Sequence, residues 1–233
     1  MNQDELDRWI TLLNRLCGPV LEPLDHDEQL RDALSKPDSL AGPLIAYCLS
    51  PDRRAAHISK RAASDVKTAE PAPLRSRLVR EAGRLADVAM WWALFDPQLN
   101  VAQFTDLDAD GPLFDPQIGR TFATIEVWTE TELAGLHALW HHAQLDQRHA
   151  ADSRQRMVER ITRTVHWHIE NTQPDNATCH PWAVHVFLLH GTPESQHFAE
   201  TQVSNCLVSN AKPDVLSAWI LRDAAEGLTM ARS

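Results

Sequence analysis

Residues 164–191 place polar side chains suited to a binding pocket inside one of the most apolar parts of the chain. The stretch holds five of the twelve histidines. A few convergent polar groups between aromatic walls are typical of a ligand pocket, and His168, Asp175 and His180 are of types that transfer protons. These three are the candidate catalytic residues. The predicted ligand-binding set is Trp167, His168, Asn171, Asp175, Asn176, His180 and Trp182.

The same polar residues have a structural interpretation, which the sequence leaves open. A buried helix end needs partners for its terminal donors and acceptors. Asn176, Thr178 or His180 is of a type that can cap a helix, and Pro181 suits the first turn that would follow. In this interpretation His185, which lies in the apolar run beyond, is a hydrogen-bonded core residue.

His137 and His141 lie four residues apart, on one face of a predicted helix. This is the spacing of two metal ligands on a helix. The chain has no His-Glu-x-x-His motif and no pair of Glu-x-x-His motifs of the kind found in carboxylate-bridged di-iron bundles. The favoured interpretation is therefore a pair of core or interface histidines, and a transition-metal site at His137 and His141 is the alternative.

An acidic turn alternates carboxylates at Asp106, Asp108 and Asp110 and continues with Gly111. The segment resembles the first half of an EF-hand calcium loop, in which alternate carboxylates converge on a hard cation and glycine permits a sharp turn. The resemblance implies calcium as a cofactor at these three residues. Gln117 stands at the twelfth position, where the loop has a bidentate glutamate. A plain acidic turn is therefore the favoured interpretation and a calcium loop the alternative, so we expect weak calcium binding or none. No other cofactor motif is recognisable.

The net charge of −10 bears on the partners of the chain. An acidic surface repels phosphate backbones, so a nucleic acid is not expected. No apolar run reaches the roughly 18 residues that cross a bilayer, and we expect no membrane partner. The four cysteines are widely spaced, which favours a reducing compartment, and the cytoplasm is the expected location. A protein or a small molecule is the expected ligand, and the sequence indicates no oligomeric state.

Apolar residues recur at helical spacing along most of the chain, between turns that contain proline or glycine. Short connections make neighbouring helices antiparallel. The pattern predicts an all-α fold, an antiparallel α/α-hairpin array or bundle that could form part of a toroid. We expect an N-terminal helical module at 1–50, a mobile linker at 51–74 and the main α-helical domain at 75–233. At most a minor extended segment is expected, near 121–128, where β-branched residues alternate.

The histidines also predict a response to pH. Ten of the twelve lie between His137 and His197. Burial lowers the pKa of a histidine because it disfavours the charged ring. If most are buried, stability is expected to fall between about pH 7 and pH 5.

Two classes of function follow from these features. The favoured class is a helical-hairpin binding or scaffolding protein. The alternative is a small-molecule enzyme, of hydrolase or lyase type, with its pocket between Trp167 and Trp182. No nucleophile–base pair, phosphate loop or complete metal motif identifies a reaction.

Overall fold

A computed structural model describes residues 1–36, 39–49, 86–95, 101–114, 125–145, 151–172, 179–207 and 211–232. Within these ranges the chain is helical, with no strand, and the predicted all-α fold is confirmed. The nine α-helices of the described ranges are α1 (Gln3–Leu21), α2 (His26–Leu34), α3 (Ala41–Leu49), α4 (Ala86–Ala93), α5 (Ile125–Gln144), α6 (Ala151–Asn171), α7 (Val184–His190), α8 (Pro193–Asn205) and α9 (Val215–Arg232). The predicted linker at 51–74 lies outside the described residues.

Helix α1 begins with a reciprocal cap. The Asn2 side chain accepts a hydrogen bond from the Glu5 amide, and the Glu5 carboxylate accepts one from the Asn2 amide. This capping box satisfies two donors that would otherwise lack partners. The helix continues through Pro19 to Leu21, and the Glu22 amide donates to the Gly18 carbonyl. Pro19 has no amide hydrogen for the carbonyl four residues earlier, but it stands in the last turn, and only two helical residues follow it.

The helices pack pairwise around an apolar core. Helix α1 lies along α9, α5 contacts α4 and α6, and α7 contacts α8 and α9. Trp91, Trp182 and Trp219 are among the largest fully buried side chains. Helices α3 and α9 also touch, so the N-terminal helices meet the last helix of the chain. None of the described helices combines the length and the apolar character needed to cross a bilayer.

The structure differs from two local expectations. Helix α5 begins at Ile125, so residues 125–128 are helical and not extended, and residues 121–124 lie outside the described residues. Buried contacts of the helix from Trp128 onward outweigh the weak strand preference of β-branched residues. Helix α7 begins at Val184, after Ala183, which has a φ of 58° and no side-chain cap. The expected caps at residues 176–180 therefore lie too early in the chain.

Candidate metal centre

Three imidazoles and one carboxylate from three helices meet in the core. His137 and His141 come from α5, His185 from α7 and Asp223 from α9, and all four side chains are fully buried. A nitrogen from each of the three rings lies within 4.8 Å of the others. The convergence makes these four residues the candidate metal centre.

The helices determine how each side chain reaches the centre. His137 and His141 are one turn apart on α5, and their rings stack with centroids 5.3 Å apart. His185 lies in the second residue of α7, whose left-handed start at Ala183 brings the chain back against α5. Its ring centroid is 4.3 Å from that of His137. Asp223 belongs to the apolar face of α9, between the buried residues Trp219 and Gly227.

Hydrogen bonds connect Asp223 to both α5 histidines. Its Oδ2 atom lies 2.7 Å from Nε2 of His137 and 2.6 Å from Nε2 of His141. The Ala183 amide donates to Nδ1 of His137 at 3.2 Å. A neutral imidazole carries a proton on only one nitrogen. These contacts therefore assign the proton of His137 to Nε2, from which it is donated to Asp223.

An aromatic shell surrounds the centre. Trp91 lies 5.3 Å from His137, Trp140 lies 4.5 Å from His185, and Tyr47 lies 4.5 Å from His141, measured between ring centroids. A Cβ atom at Gly227 would come within 3.1 Å of the His185 ring, so glycine permits the close approach of α9. The shell separates the polar cluster from solvent, and this strengthens its electrostatic interactions.

The donor types suit a transition metal. Neutral imidazole and carboxylate are common ligands of zinc and of other first-row ions. On a tetrahedral zinc ion, two nitrogens bonded at about 2.0 Å stand about 3.3 Å apart. The ring nitrogens here lie within 4.8 Å of one another, so movements of the order of 1 Å would bring them to that spacing. A cation at this point would also compensate a carboxylate that is costly to bury.

The two tryptophans of the predicted aromatic pocket pack against different residues. Trp182 is fully buried and lies 5.9 Å from Trp91 and 5.7 Å from His137. Trp167 packs edge-on against Trp128 at 5.8 Å. Asn171 is exposed, and its amide group donates to the Trp167 carbonyl. Trp182 thus belongs to the shell of the metal centre, while Trp167 packs between α5 and α6.

The three candidate catalytic residues also differ in their surroundings. His168 is fully buried, and its Nε2 atom lies 3.6 Å from the Glu132 carboxylate. His180 is half-buried, with Nδ1 hydrogen-bonded to Glu130 and Nε2 3.7 Å from Asp214. Each histidine therefore faces a different carboxylate of α5. Asp175 and Asn176, the remaining members of the predicted pocket, lie outside the described residues, and the pocket stays a prediction.

The pKa of His180 differs from the expectation for a buried histidine. Burial alone would lower the pKa, but the hydrogen bond and charge of Glu130, with the charge of Asp214, raise it above the usual value. His190 follows the expectation, since burial and the nearby His166 lower its pKa. The pKa values of these two histidines therefore shift in opposite directions, because His180 has carboxylate partners.

The acidic turn contacts arginines of α6. Asp108 forms two hydrogen bonds with Arg156, at 2.9 and 2.5 Å, and Asp110 lies 3.3 Å from Arg163. The bond with Arg156 lowers the pKa of the Asp108 carboxyl. Asp106 accepts a hydrogen bond from the Asp108 amide. Gln117 lies outside the described residues. Two of the three predicted calcium ligands therefore already have cationic partners.

Sequence spacing places His137 and His141 on one helix face but does not indicate the other half of the centre. His185 stands out in the sequence only as a polar residue of an apolar segment, and no motif includes Asp223. The pattern holds one indication, because Asp223 lies four residues after Trp219 and four before Gly227 on the apolar face of α9. A carboxylate on such a face needs a buried partner.

Comparison with known proteins finds no relative with which this site could be compared. No protein-family model, no curated protein and no solved structure matches the chain. The functional interpretation therefore depends on the geometry of the chain itself.

Proposed function

We propose that this protein binds a transition-metal ion of the zinc class at the centre formed by His137, His141, His185 and Asp223. The observation that supports the proposal is the convergence of three imidazoles and a carboxylate, all fully buried. Asp223 hydrogen-bonds to two of the imidazoles, and a cation among these groups would further compensate the cost of burying its carboxylate.

The burial of the centre favours a structural ion over a catalytic one. A catalytic zinc site keeps one position open to water or substrate, whereas a structural site is closed by protein ligands. Here the ligands lie behind Trp91, Trp140 and Trp182, away from solvent. The ion would fasten α5, α7 and α9 to one another, and binding energy would add directly to folding energy.

The proposal falls in the favoured class, a binding protein, and assigns the ligand. The alternative class, a small-molecule enzyme with a pocket at Trp167–Trp182, stays a prediction. The metal centre and the predicted pocket share Trp182, which packs on His137, whereas Trp167, the other wall of the pocket, packs on Trp128. Metal content and its effect on Tm test the binding proposal, and they do not measure turnover of a small molecule.

The test measures metal content and stability of the full chain. We expect protein purified from zinc-supplemented cells to carry one ion per chain, measured by plasma mass spectrometry. At free zinc 100 times the dissociation constant, binding contributes about 2.7 kcal/mol. For a chain of this size that corresponds to a rise in Tm of roughly 5–10 °C. Removal of the ion with a chelator should lower Tm by this amount, and added zinc should restore it.

Matched variants separate ligation from general effects. His185→Gln, which keeps the volume of the side chain, should lose the ion and the response of Tm to chelator. His197→Gln changes an exposed histidine on α8 and should retain both. A wild-type protein that carries no metal, takes up neither zinc nor cobalt, and melts at the same temperature with chelator would rule the proposal out.

A further inference from the structure

The peptide group between Trp182 and Ala183, called the 182–183 peptide below, is held from both sides by side chains. Its carbonyl accepts a hydrogen bond of 2.8 Å from Nε2 of Gln202 on α8, and its amide donates to Nδ1 of His137 at 3.2 Å. A peptide group is planar, so its carbonyl and its amide turn together. Gln202 therefore helps to determine which polar group of the backbone faces the metal centre.

The packing of α8 on α7 brings Gln202 to this peptide. Gln202 lies four residues after Phe198, on the same face of α8, and Phe198 stacks on Phe187 with ring centroids 4.2 Å apart. The Gln202 side chain is buried, and within the described ranges its Oε1 atom accepts no hydrogen bond. A side-chain amide has a donor on one side and an acceptor on the other. Half a turn of this amide would therefore offer an acceptor where it now offers a donor.

The backbone at Ala183 has a conformation that a turn of the peptide would relieve. Its φ is 58°, in the left-handed region that is disfavoured for a residue with a Cβ atom. Half a turn of the 182–183 peptide would make this φ negative, where alanine is unstrained. The Ala183 carbonyl accepts from the Val186 and Phe187 amides, but it belongs to the next peptide group and would stay in place. Helix α7 would therefore remain intact.

An ion at Nε2 of His137 changes what the ring requires of the backbone. This nitrogen lies 2.7 Å from Oδ2 of Asp223, the oxygen that His141 also contacts. A neutral ring that gives its Nε2 lone pair to an ion carries its proton on Nδ1. That proton would face the Ala183 amide hydrogen, whereas a metal-ligating histidine commonly donates it to a carboxylate or a backbone carbonyl. The 182–183 peptide has such a carbonyl on its other side.

We propose that ion binding turns the 182–183 peptide, so that its carbonyl accepts from Nδ1 of His137, and that Gln202 is the positioning residue that holds the peptide in both orientations. In the metal-bound chain the amide of Ala183 donates to Oε1 of Gln202. This inference rests on the proposed metal-binding function. As the ion binds, the Nε2–H bond of His137 breaks, the proton leaves to solvent, and the electron pair stays on Nε2 and joins the metal. A proton from solvent binds Nδ1, so the ring stays neutral.

Nuclear magnetic resonance of the isotope-labelled full chain measures the two orientations. In the chain freed of metal with chelator, we expect the proton of His137 on Nε2 and a positive φ at Ala183, from ring and backbone couplings. With one equivalent of zinc, we expect the proton on Nδ1 and a negative φ.

Coupling across hydrogen bonds reports the role of Gln202 in the same samples. Without metal it should join Nε2 of Gln202 to the Trp182 carbonyl carbon. With zinc it should join the Ala183 amide nitrogen to the side-chain carbonyl carbon of Gln202. A side chain that only fills space in the core would show no such exchange.

Ala183→Gly tests the release of the left-handed conformation. Glycine adopts a positive φ freely, so this variant should stabilise the metal-free orientation and not the metal-bound one. We expect its zinc affinity to fall about 5–30-fold, which corresponds to the roughly 1–2 kcal/mol that the left-handed conformation costs an alanine. Ala199→Gly changes another fully buried alanine, on α8, and should leave the zinc affinity unchanged. Circular dichroism checks that both variants are folded.

The outcomes distinguish this inference from the proposed function. Zinc bound by wild-type protein with a positive φ at Ala183 would overturn the turn of the peptide and leave the metal site standing. Equal zinc affinities of wild type and Ala183→Gly would do the same. A proton that stays on Nε2 of His137 in the zinc-bound chain would also overturn the inference and would remove His137 from the ligands. No binding of zinc by the wild-type protein would overturn both.

Discussion

Asp87, in the first turn of α4, is a buried carboxyl whose protonation affects stability. Burial raises its pKa to about 7, backbone hydrogen bonds at residues 87 and 88 oppose the rise, and the charges of Glu130 and Glu132 add to it. The usual value is 3.8. The folded chain therefore holds a proton that the unfolded chain releases between about pH 4 and pH 7, and stability falls as pH rises through this range.

We expect Asp87→Asn to remove this dependence. A shift of about three units corresponds to about 4 kcal/mol, which is the upper limit of the gain. The variant should have a higher Tm than wild type at pH 8 and nearly the same Tm at pH 4, as measured by calorimetry across this range. Asp4→Asn, an exposed carboxylate on α1, is the control and should give a profile parallel to wild type. Equal effects of Asp87→Asn at both pH values would contradict the raised pKa.

Residues of the site could be predicted from the sequence only where they lie close to one another along the chain. The spacing of His137 and His141 is set within one helix, and the sequence therefore identified the pair as a metal candidate. Asp223 is 82 residues from His141 along the chain, and no local pattern states that the two will meet. The same holds for Cys48 and Asp223, which are separated by 175 residues. Such contacts depend on packing between helices.

At the scale of elements, α6 holds the acidic turn through three arginines. Arg160 donates to the carbonyls of Gly111 and Pro112, and Arg163 donates to those of Leu107 and Ala109. In an EF-hand loop that begins at Asp106, the Pro112 carbonyl would be the backbone ligand at position 7. The guanidinium groups thus occupy oxygens that calcium would need. Gly111 has a φ of 88°, which supplies the turn that both arrangements require.

The prediction for this turn is that calcium binds weakly or not at all. Binding would have to displace Arg156 from Asp108 and Arg160 from the Pro112 carbonyl. Isothermal titration of the full chain with calcium should show no dissociation constant below about 1 µM, the range of good sensor loops. Asp108→Ala is the control and should leave the titration unchanged. Tight binding that disappears in Asp108→Ala would show that the ion displaces the arginines.

The presence of a helix was more predictable than the residue at which it begins or ends. The start of α8 is of a kind that a sequence reveals, because Thr192 caps it through the Ser195 amide and Pro193 stands in the first turn. The start of α7 was wrong because its N-cap, Ala183, has no capping side chain that a sequence could reveal. The Ala183 amide instead donates to His137, a tertiary contact. A sequence pattern therefore predicts where a helix begins or ends only when hydrogen bonds within a few residues of that position determine it.

At the scale of the whole molecule, most of the buried apolar residues of the described ranges form one contiguous cluster. It includes Leu13 and Leu21 of α1 together with Leu228 of α9. The all-α class followed from helical periodicity, but this packing between the two ends of the chain did not, because periodicity gives the buried face of a helix and not its partner. The division into a module at 1–50 and a main domain at 75–233 stays a prediction.

The contact between α1 and α9 leads to a test with fragments. Leu6, Leu13 and Leu21 are buried, and burial of three leucines contributes roughly 5–9 kcal/mol, comparable with a typical stability of about 5–15 kcal/mol. We expect fragment 75–233 alone to lack the cooperative thermal transition of the full chain, measured by circular dichroism.

Addition of fragment 1–50 should restore that transition, because it returns α1 to the apolar face of α9 and Cys48 to Asp223. The same fragment carrying Leu13→Ser should restore it less, since a hydroxyl would replace a fully buried side chain of α1. Fluorescence of Trp219, which lies fully buried on α9, would report the association. If fragment 75–233 alone melts cooperatively at the Tm of the full chain, the core is complete without α1, and the N-terminal helices add nothing to its stability.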